Sequence, residues 1–440
     1  MDILIEAPQR ARRVGTFAVL SLALGLGGCD TADLLNVDLP GNVTAEDVEA
    51  PSLAGTMRVS AIGDFEWAWD DYVDFAAGHS DEYMQSSGNF TGRRLQLRDI
   101  PPDLPAYQGI FGALHRARVM LESHFDRLAG FSDAEVPRRT EYQAEMRTYA
   151  GFLYVIFGEG FCGTPLNGDD NVRTPDQLQE IAVDVFTEAI ALAGQNGRDD
   201  LVEAARIGRA RAYLNLDQFD NAIADATGIT DGFTFWATRE QGEGRRQNSM
   251  ANRNELDTNQ QSTVAPSYRD VRWKDVPDPR VNVMNTGFIG HDNATIVWRH
   301  DKTPESFAQG AGQDVIVASS REARLFIAEA LALRGQGSDL DDAIAILDAF
   351  HTAAGIPSVD ATDLPTQDDV IRHVIEERRR ELFVEGAHRQ RDHLRWRGTQ
   401  FQVPYLGEPG SDHPDGIDHQ GQVYGSTTCF PVAQNEGIVN

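Results

Sequence analysis

Residues 210–226 read ARAYLNLDQFDNAIADA, and the arrangement these side chains demand sets the fold class. Ala204, Ala205, Ala210, Ala212 and Leu214 recur at helical spacing through 201–216, and a further helix starts at Phe219 with Ala222, Ile223 and Ala226. Small alanines let two helix axes approach closely, and Phe219 fills the gap at the turn between them. Upstream, Thr174-Pro175 opens a helix carrying Leu178, Ile181, Val185, Ala189 and Leu192.

The quoted stretch is similar to a tetratricopeptide repeat unit. A second copy follows about a hundred residues later. Glu322–Arg334 carries Ala323, Leu325, Phe326, Ala328, Ala330 and Leu331, and Asp341–Phe350 carries Ala343, Ile344, Ile346 and Leu347. Between the copies, 231–318 is rich in Asn, Gln, Gly and Asp and holds Trp236, Trp273 and Trp298, with a short strand expected near Ala294–Arg299. An irregular stretch of that length inside a compact chain points to function.

Toward the N-terminus, helical patterns cover Tyr107–Leu128 and Glu141–Phe157, the latter ended by Gly158, Gly160, Gly163 and Pro165. A helix capped by Thr44 is expected to run to about Ile62, interrupted or kinked by Pro51. Residues 64–98 crowd aromatic side chains: helical and core-forming before Gly78, with Trp67 and Trp69 inside, then a polar loop with Tyr83, Phe90, Arg93 and Arg94. Toward the C-terminus, Gln367 to about Glu385 forms a helix whose apolar face includes Val370, Ile371, Val374 and Ile375. The run EERRRELFVEGAHRQRDHLRW, residues 376–396, sets arginines beside that face. Buried guanidinium groups need carboxylate partners, so an internal ion-pair lattice locking this helix to the repeats is expected. Trp396 reads as core, and 398–440 is loop-like.

The chain start decides the compartment. Arg10, Arg12 and Arg13 precede an apolar run from Val14 to Leu26, which ends in Leu26-Gly27-Gly28-Cys29. The run suits a signal-peptide core, since a spanning helix needs about 20 apolar residues. Small residues before Cys29 form a lipobox, so residues 1–28 are expected to be removed and Cys29 acylated, tethering the chain to a membrane. Of the remaining thiols, Cys162 and Cys429 are expected to pair in an oxidising compartment. The formal charge of −29, with lysine only at Lys274 and Lys302, excludes a nucleic-acid partner.

Several segments in order resemble the SusD/RagB family of outer-membrane nutrient-binding lipoproteins. They are LLNVDLPGNVTAEDV (34–48), DPRVNV (278–283), SSREARLFIAEALAL (319–333), ERRRELFVEG (377–386) with RDHLRW (391–396), and CFPVAQNE (429–436). The resemblance implies an all-α body of tetratricopeptide-like helix pairs with long loops and little β structure. It implies one domain over 29–440: helices at about 44–230 and 320–397, a ligand-face insert at 231–318, and the C-terminal loop segment 398–440. It also implies a surface-exposed lid on a SusC-like TonB-dependent outer-membrane transporter that captures an oligosaccharide or other oligomeric nutrient.

No enzyme motif, cofactor signature or metal motif stands out; His388 and His393 read as structural. Sugar rings stack on flat aromatics while their hydroxyls meet amides, carboxylates and guanidinium groups. On that chemistry the ligand-contact candidates are Tyr83, Phe90, Arg93, Trp236, Trp273 and Trp298. The competing readings are a repeat-based envelope scaffold without a ligand, and an exported hydrolase.

Overall fold

The computed structural model describes residues 50–166, 171–242, 244–254, 261–302 and 310–434. Thr44, the lipobox and Cys29 lie outside them, as do 435 and 436 of the last motif. Twelve α-helices are present among the described residues, none long and apolar enough to cross a membrane. The strands are short and paired two by two, among them β2 (Thr164–Pro165) with β3 (Val172–Arg173). The helices are α1 (Ala54–His79), α2 (Phe90–Gln96), α3 (Pro105–Ala129), α4 (Arg139–Gly160), α5 (Pro175–Gln195), α6 (Asp199–Asn215), α7 (Phe219–Ala226), α8 (Ser249–Asn254), α9 (Ser320–Arg334), α10 (Asp339–Ala354), α11 (Gln367–Glu381) and α12 (His388–Arg395).

Local chemistry sets most boundaries. Thr174, Ser319 and Thr366 each form a reciprocal capping box, with Gln177, Glu322 and Asp369 respectively. Two expectations are corrected at the N-terminal side. Where an interruption or kink was expected, Pro51 opens a 3₁₀ turn over Pro51–Leu53, and α1 then runs past the expected end at Ile62 to His79. The reason is burial: Phe65, Trp69, Tyr72 and Phe75 all lie in the core, against Tyr149, Phe152, Phe161 and Phe430. The loop expected after Gly78 also contains order. Tyr83–Gln85 forms β1, and Asn89 caps α2 by accepting from the amides of Thr91 and Gly92 at 3.0 and 3.1 Å.

Successive helices pack on one another from α3 through α7, and α1 packs on α3. Phe186 of α5 shows how close the backbones come. A Cβ on Gly151 of α4 or Gly208 of α6 would meet its ring at 2.5 or 2.2 Å. The second repeat copy is separated in sequence but not in space, since α9 packs directly on α6 and α7. The insert is richer in strands than its composition suggested. It holds β4 (Thr234–Ala237), β5 (Ser262–Val264), the hairpin β6–β7 (Arg272–Trp273 and Val276–Pro277), and β8–β9 (Val283–Ile289 and Ile296–His300). Thr234–Ala237 pairs antiparallel with β10 (Val315–Ser319), just before α9.

The arginine-rich run is an ion-pair lattice. Arg378 reaches Asp392 at 2.9 Å and Glu329 of α9 at 3.2 Å, while Arg380 meets Asp278 at 3.2 Å and Glu376 at 2.9 Å. Arg395 also pairs with Glu329, and Arg389 with Asp81. Lys302 closes the end of α11, donating to the carbonyls of Glu381 and Phe383 at 3.0 Å each. The chain then reverses through left-handed conformations at Val384, Gly386 and Ala387. Val384 adopts this region against the preference of a β-branched residue, and its amide is held by the Glu82 carboxylate at 2.7 Å.

His115 of α3 gives the fold an acid-sensitive point. It is buried between Phe111 and Phe157, with centroids at 4.4 and 4.7 Å. Burial, with nearby Arg118 adding, lowers its pKa to about 3. The unfolded chain takes up that proton near pH 6.5, so the stability tied to a neutral His115 is full above that value and lost as pH falls toward 3. Replacing it by leucine is expected to shift the unfolding free energy in the variant's favour by about 1.4 kcal/mol per pH unit below pH 6. Urea unfolding at pH 7, 6 and 5 measures this; a pH-independent difference would refute it.

Candidate functional site

The insert folds back over α1 and α2 and leaves a cleft of about 430 Å³ between them. Trp67 and Asp71 of α1, Asn89, Thr91 and Gly92 around the start of α2, and Arg245, Asn252, Arg253 and Gln261 of the insert line it. Trp67 is half-buried, and the Arg245 guanidinium stacks 4.6 Å from its ring centroid. Arg245 is largely exposed and pairs with Asp64, so a flat apolar ligand face can replace it over the indole. Across the cleft Arg253 reaches Asp74 at 2.7 Å and Asp71 at 3.3 Å. Burial pushes Asp74 up to about 6 against the pull of Arg253. Behind them, Asp70 accepts from the Ser249 amide at 2.9 Å, and burial, opposed by Arg239, pushes it up to about 7. One aromatic plane surrounded by amides, carboxylates and guanidinium groups suits a polyhydroxylated ring.

Beside the cleft, three loops are tied into one rim. The Asp292 amide donates to the Ser86 carbonyl at 3.0 Å, and Arg93 pairs with Asp418 at 2.9 Å. His419 sits 2.9 Å from the Thr295 hydroxyl, and Gln420 reaches Asp292. Gly290 is required by this closeness, because a Cβ there would lie 2.4 Å from the Ser86 carbonyl oxygen. The three loops hold Phe90, Phe288, Ile417 and Val423 exposed to solvent.

The six candidate contacts from the sequence are not brought together. Tyr83 is withdrawn from the set: it is buried in β1 opposite Val264 and hydrogen-bonded to His300. Arg93 serves the rim through Asp418. Trp298 is half-buried beneath Arg269, 5.0 Å away, and Trp273 packs at steep ring angles against His351 and His373. Trp236 is exposed but lines a separate cavity of about 280 Å³, with Asp70, Lys302, Arg321 and Glu385. Phe90 does not line the cleft: it is exposed to solvent, flanked in sequence by the lining residues Asn89 and Thr91. The sequence reading set Trp67 aside as core. Its position two residues from Trp69 was the available signal, because adjacent i and i+2 positions on a helix face different ways.

Cys162 and Cys429 are joined by a disulfide, with Cα atoms 5.0 Å apart. Residues 224–427 match the SusD family. No curated protein sequence matches the chain. A SusD-like carbohydrate binding protein from Bacteroides vulgatus superposes with TM-score 0.67 at 14% identity, over 89% of this chain and 96% of that one. A second SusD superfamily protein from the same organism gives 0.68 at 15%, over 89% and 97%. Surface glycan-binding protein A from Bacteroides thetaiotaomicron, solved with laminarihexaose, gives 0.61 at 15%, over 88% and 97%. The matched region, from the insert to the C-terminal loops, and the shared helical fold agree: residues 224–427 are similar to the SusD family, and the chain has the fold of SusD-like proteins.

Proposed function

We propose that this protein is a glycan-capturing lipoprotein of the outer membrane, acylated at Cys29 and exposed at the cell surface. It is a single receptor domain over residues 29–440 that delivers oligosaccharides to a SusC-like TonB-dependent transporter as its lid subunit, without catalysis. The observation that carries the reading is the cleft in which the Trp67 ring lies among Asn89, Asp71, Asn252 and Gln261. A relative with the same fold was solved with laminarihexaose, which supports an oligosaccharide as ligand. The net charge of −29 favours a neutral glycan over a polyanionic one, through long-range repulsion.

Calorimetric titration of residues 30–440 against a panel of neutral and acidic oligosaccharides, laminarihexaose included, tests this. A neutral oligosaccharide is expected to bind. Trp67→Ala is expected to weaken it at least tenfold, about 1.4 kcal/mol or more, while leaving the thermal midpoint within a few degrees. Undiminished binding by the variant would move the site elsewhere. A chain that binds no glycan yet co-purifies with other envelope proteins would favour the scaffold reading.

A further inference from the structure

A second constellation lies away from the cleft, in the C-terminal helix pair. His351 near the end of α10, and His373 and Glu377 one turn apart on α11, are all buried. Their side chains converge: His373 Nε2 lies 3.2 Å from His351 Nε2, which lies 3.2 Å from Glu377 Oε2. We propose that these three residues bind one divalent transition-metal ion of the zinc class.

Hydrogen-bonding roles carry the argument. His351 Nδ1 is 2.9 Å from the Pro357 carbonyl, which can only accept, so the ring proton sits on Nδ1. Nε2 is then the nitrogen able to turn a lone pair to a metal ion, and it lies beside the Glu377 carboxylate and the second imidazole nitrogen. One nitrogen from each imidazole and one carboxylate oxygen lie within 4.8 Å of one another, close enough to bind a single cation together. The backbone carbonyl that fixes the ring is the outer partner commonly found behind a metal-bound histidine. Arg280 holds Glu377 Oε1, orienting Oε2 inward, and Asp278 neutralises Arg280 at 2.7 Å. The spacing also fits. Metal–nitrogen bonds of about 2.0–2.1 Å in tetrahedral geometry put two imidazole nitrogens about 3.3 Å apart. Two imidazoles and a carboxylate are borderline ligands suited to zinc, and unsuited to calcium or magnesium, which favour oxygen. Trp273 lies over the pair, 5.2 and 4.8 Å from the two rings, so the ion would tie α10 and α11 beside the insert hairpin that carries this indole.

The test uses the tag-free chain lacking residues 1–29, stripped with chelator and dialysed against zinc. The expected result is one equivalent retained by elemental analysis, a raised thermal midpoint, and X-ray absorption showing a nitrogen and oxygen shell near 2.0 Å with scattering from two imidazoles. His351→Ala and His373→Gln are each expected to lower affinity at least a hundredfold, with unchanged circular dichroism. No retained zinc, a spectrum without imidazole scattering, or folded variants that bind as the wild type would overturn the proposal. The spectrum of the wild type decides the matter even where a variant fails to fold.

Discussion

Arg211→Met is expected to lower the unfolding free energy by about 3–5 kcal/mol at pH 8, the largest effect of any single substitution considered. Arg211 is 1% exposed and stands where four segments meet. Its Nε donates to Glu159 of α4 at 2.8 Å, Nη1 to Glu322 of α9 at 3.2 Å, and Nη2 to the Gly386 carbonyl at 2.8 Å. Methionine keeps the packing volume but strands two buried carboxylates, and an uncompensated buried charge is far costlier than the pair is stabilising. The pH dependence identifies the cause. Burial pushes Glu159 up, but the Arg211 charge and hydrogen bonds outweigh it and hold the group at about 2. That stability is therefore present above the unfolded value near 4.5 and lost as pH falls toward 2. Burial keeps Glu322 at about 7 in spite of Arg211. Its contribution has the opposite sign, full below about 4.5 and lost as pH rises through 7. The gap between wild type and variant should thus be widest at pH 8 and shrink below pH 5. Guanidinium unfolding at pH 8, 6 and 4 measures it; an unchanged midpoint at pH 8 would show that the junction tolerates bare carboxylates.

Cutting the Cys162–Cys429 disulfide is the second large effect. The bond spans 267 residues of sequence. Chain entropy alone gives a loop of that length about 5–6 kcal/mol, and removal of native disulfides typically costs about 2–5. The tail it secures is part of the core. Phe430 is fully buried, packs against Phe75 at 4.6 Å and His79 at 4.8 Å, and its amide donates to the Gly160 carbonyl at 2.8 Å. Gly160 admits this approach: a Cβ there would fall 2.1 Å from the Tyr72 hydroxyl oxygen. Cys162→Ala/Cys429→Ala is expected to lower the unfolding free energy by about 3–5 kcal/mol and to expose the segment after Tyr405 to protease. Reductant should reproduce the effect in the wild type and do nothing to the variant. A double variant as stable and as resistant as the wild type would mean that the Phe430 contacts hold the tail unaided.

The repeat helices were legible because helix formation answers to neighbours three and four residues away. Alanine spacing in 204–226, the helix opening at Thr174-Pro175, and the mirrored pattern in 322–350 all lie within that range. Burial of the arginines in 376–396 was legible for a related reason: charges alternating with an apolar face can be stabilised only by partners. Identifying those partners needed the fold, since Glu329, Asp278 and Asp81 are distant in sequence.

The sequence by itself determined the helical class and the order of the repeats, because each rests on local periodicity or on the succession of motifs. Only the tertiary structure decided that the two repeat copies touch across the insert, that Tyr83 turns inward and Trp67 outward to a cleft, and that His351 faces His373. These depend on how segments far apart in the chain are brought together by packing, and no window of neighbouring residues encodes the distance between two side chains on different helices.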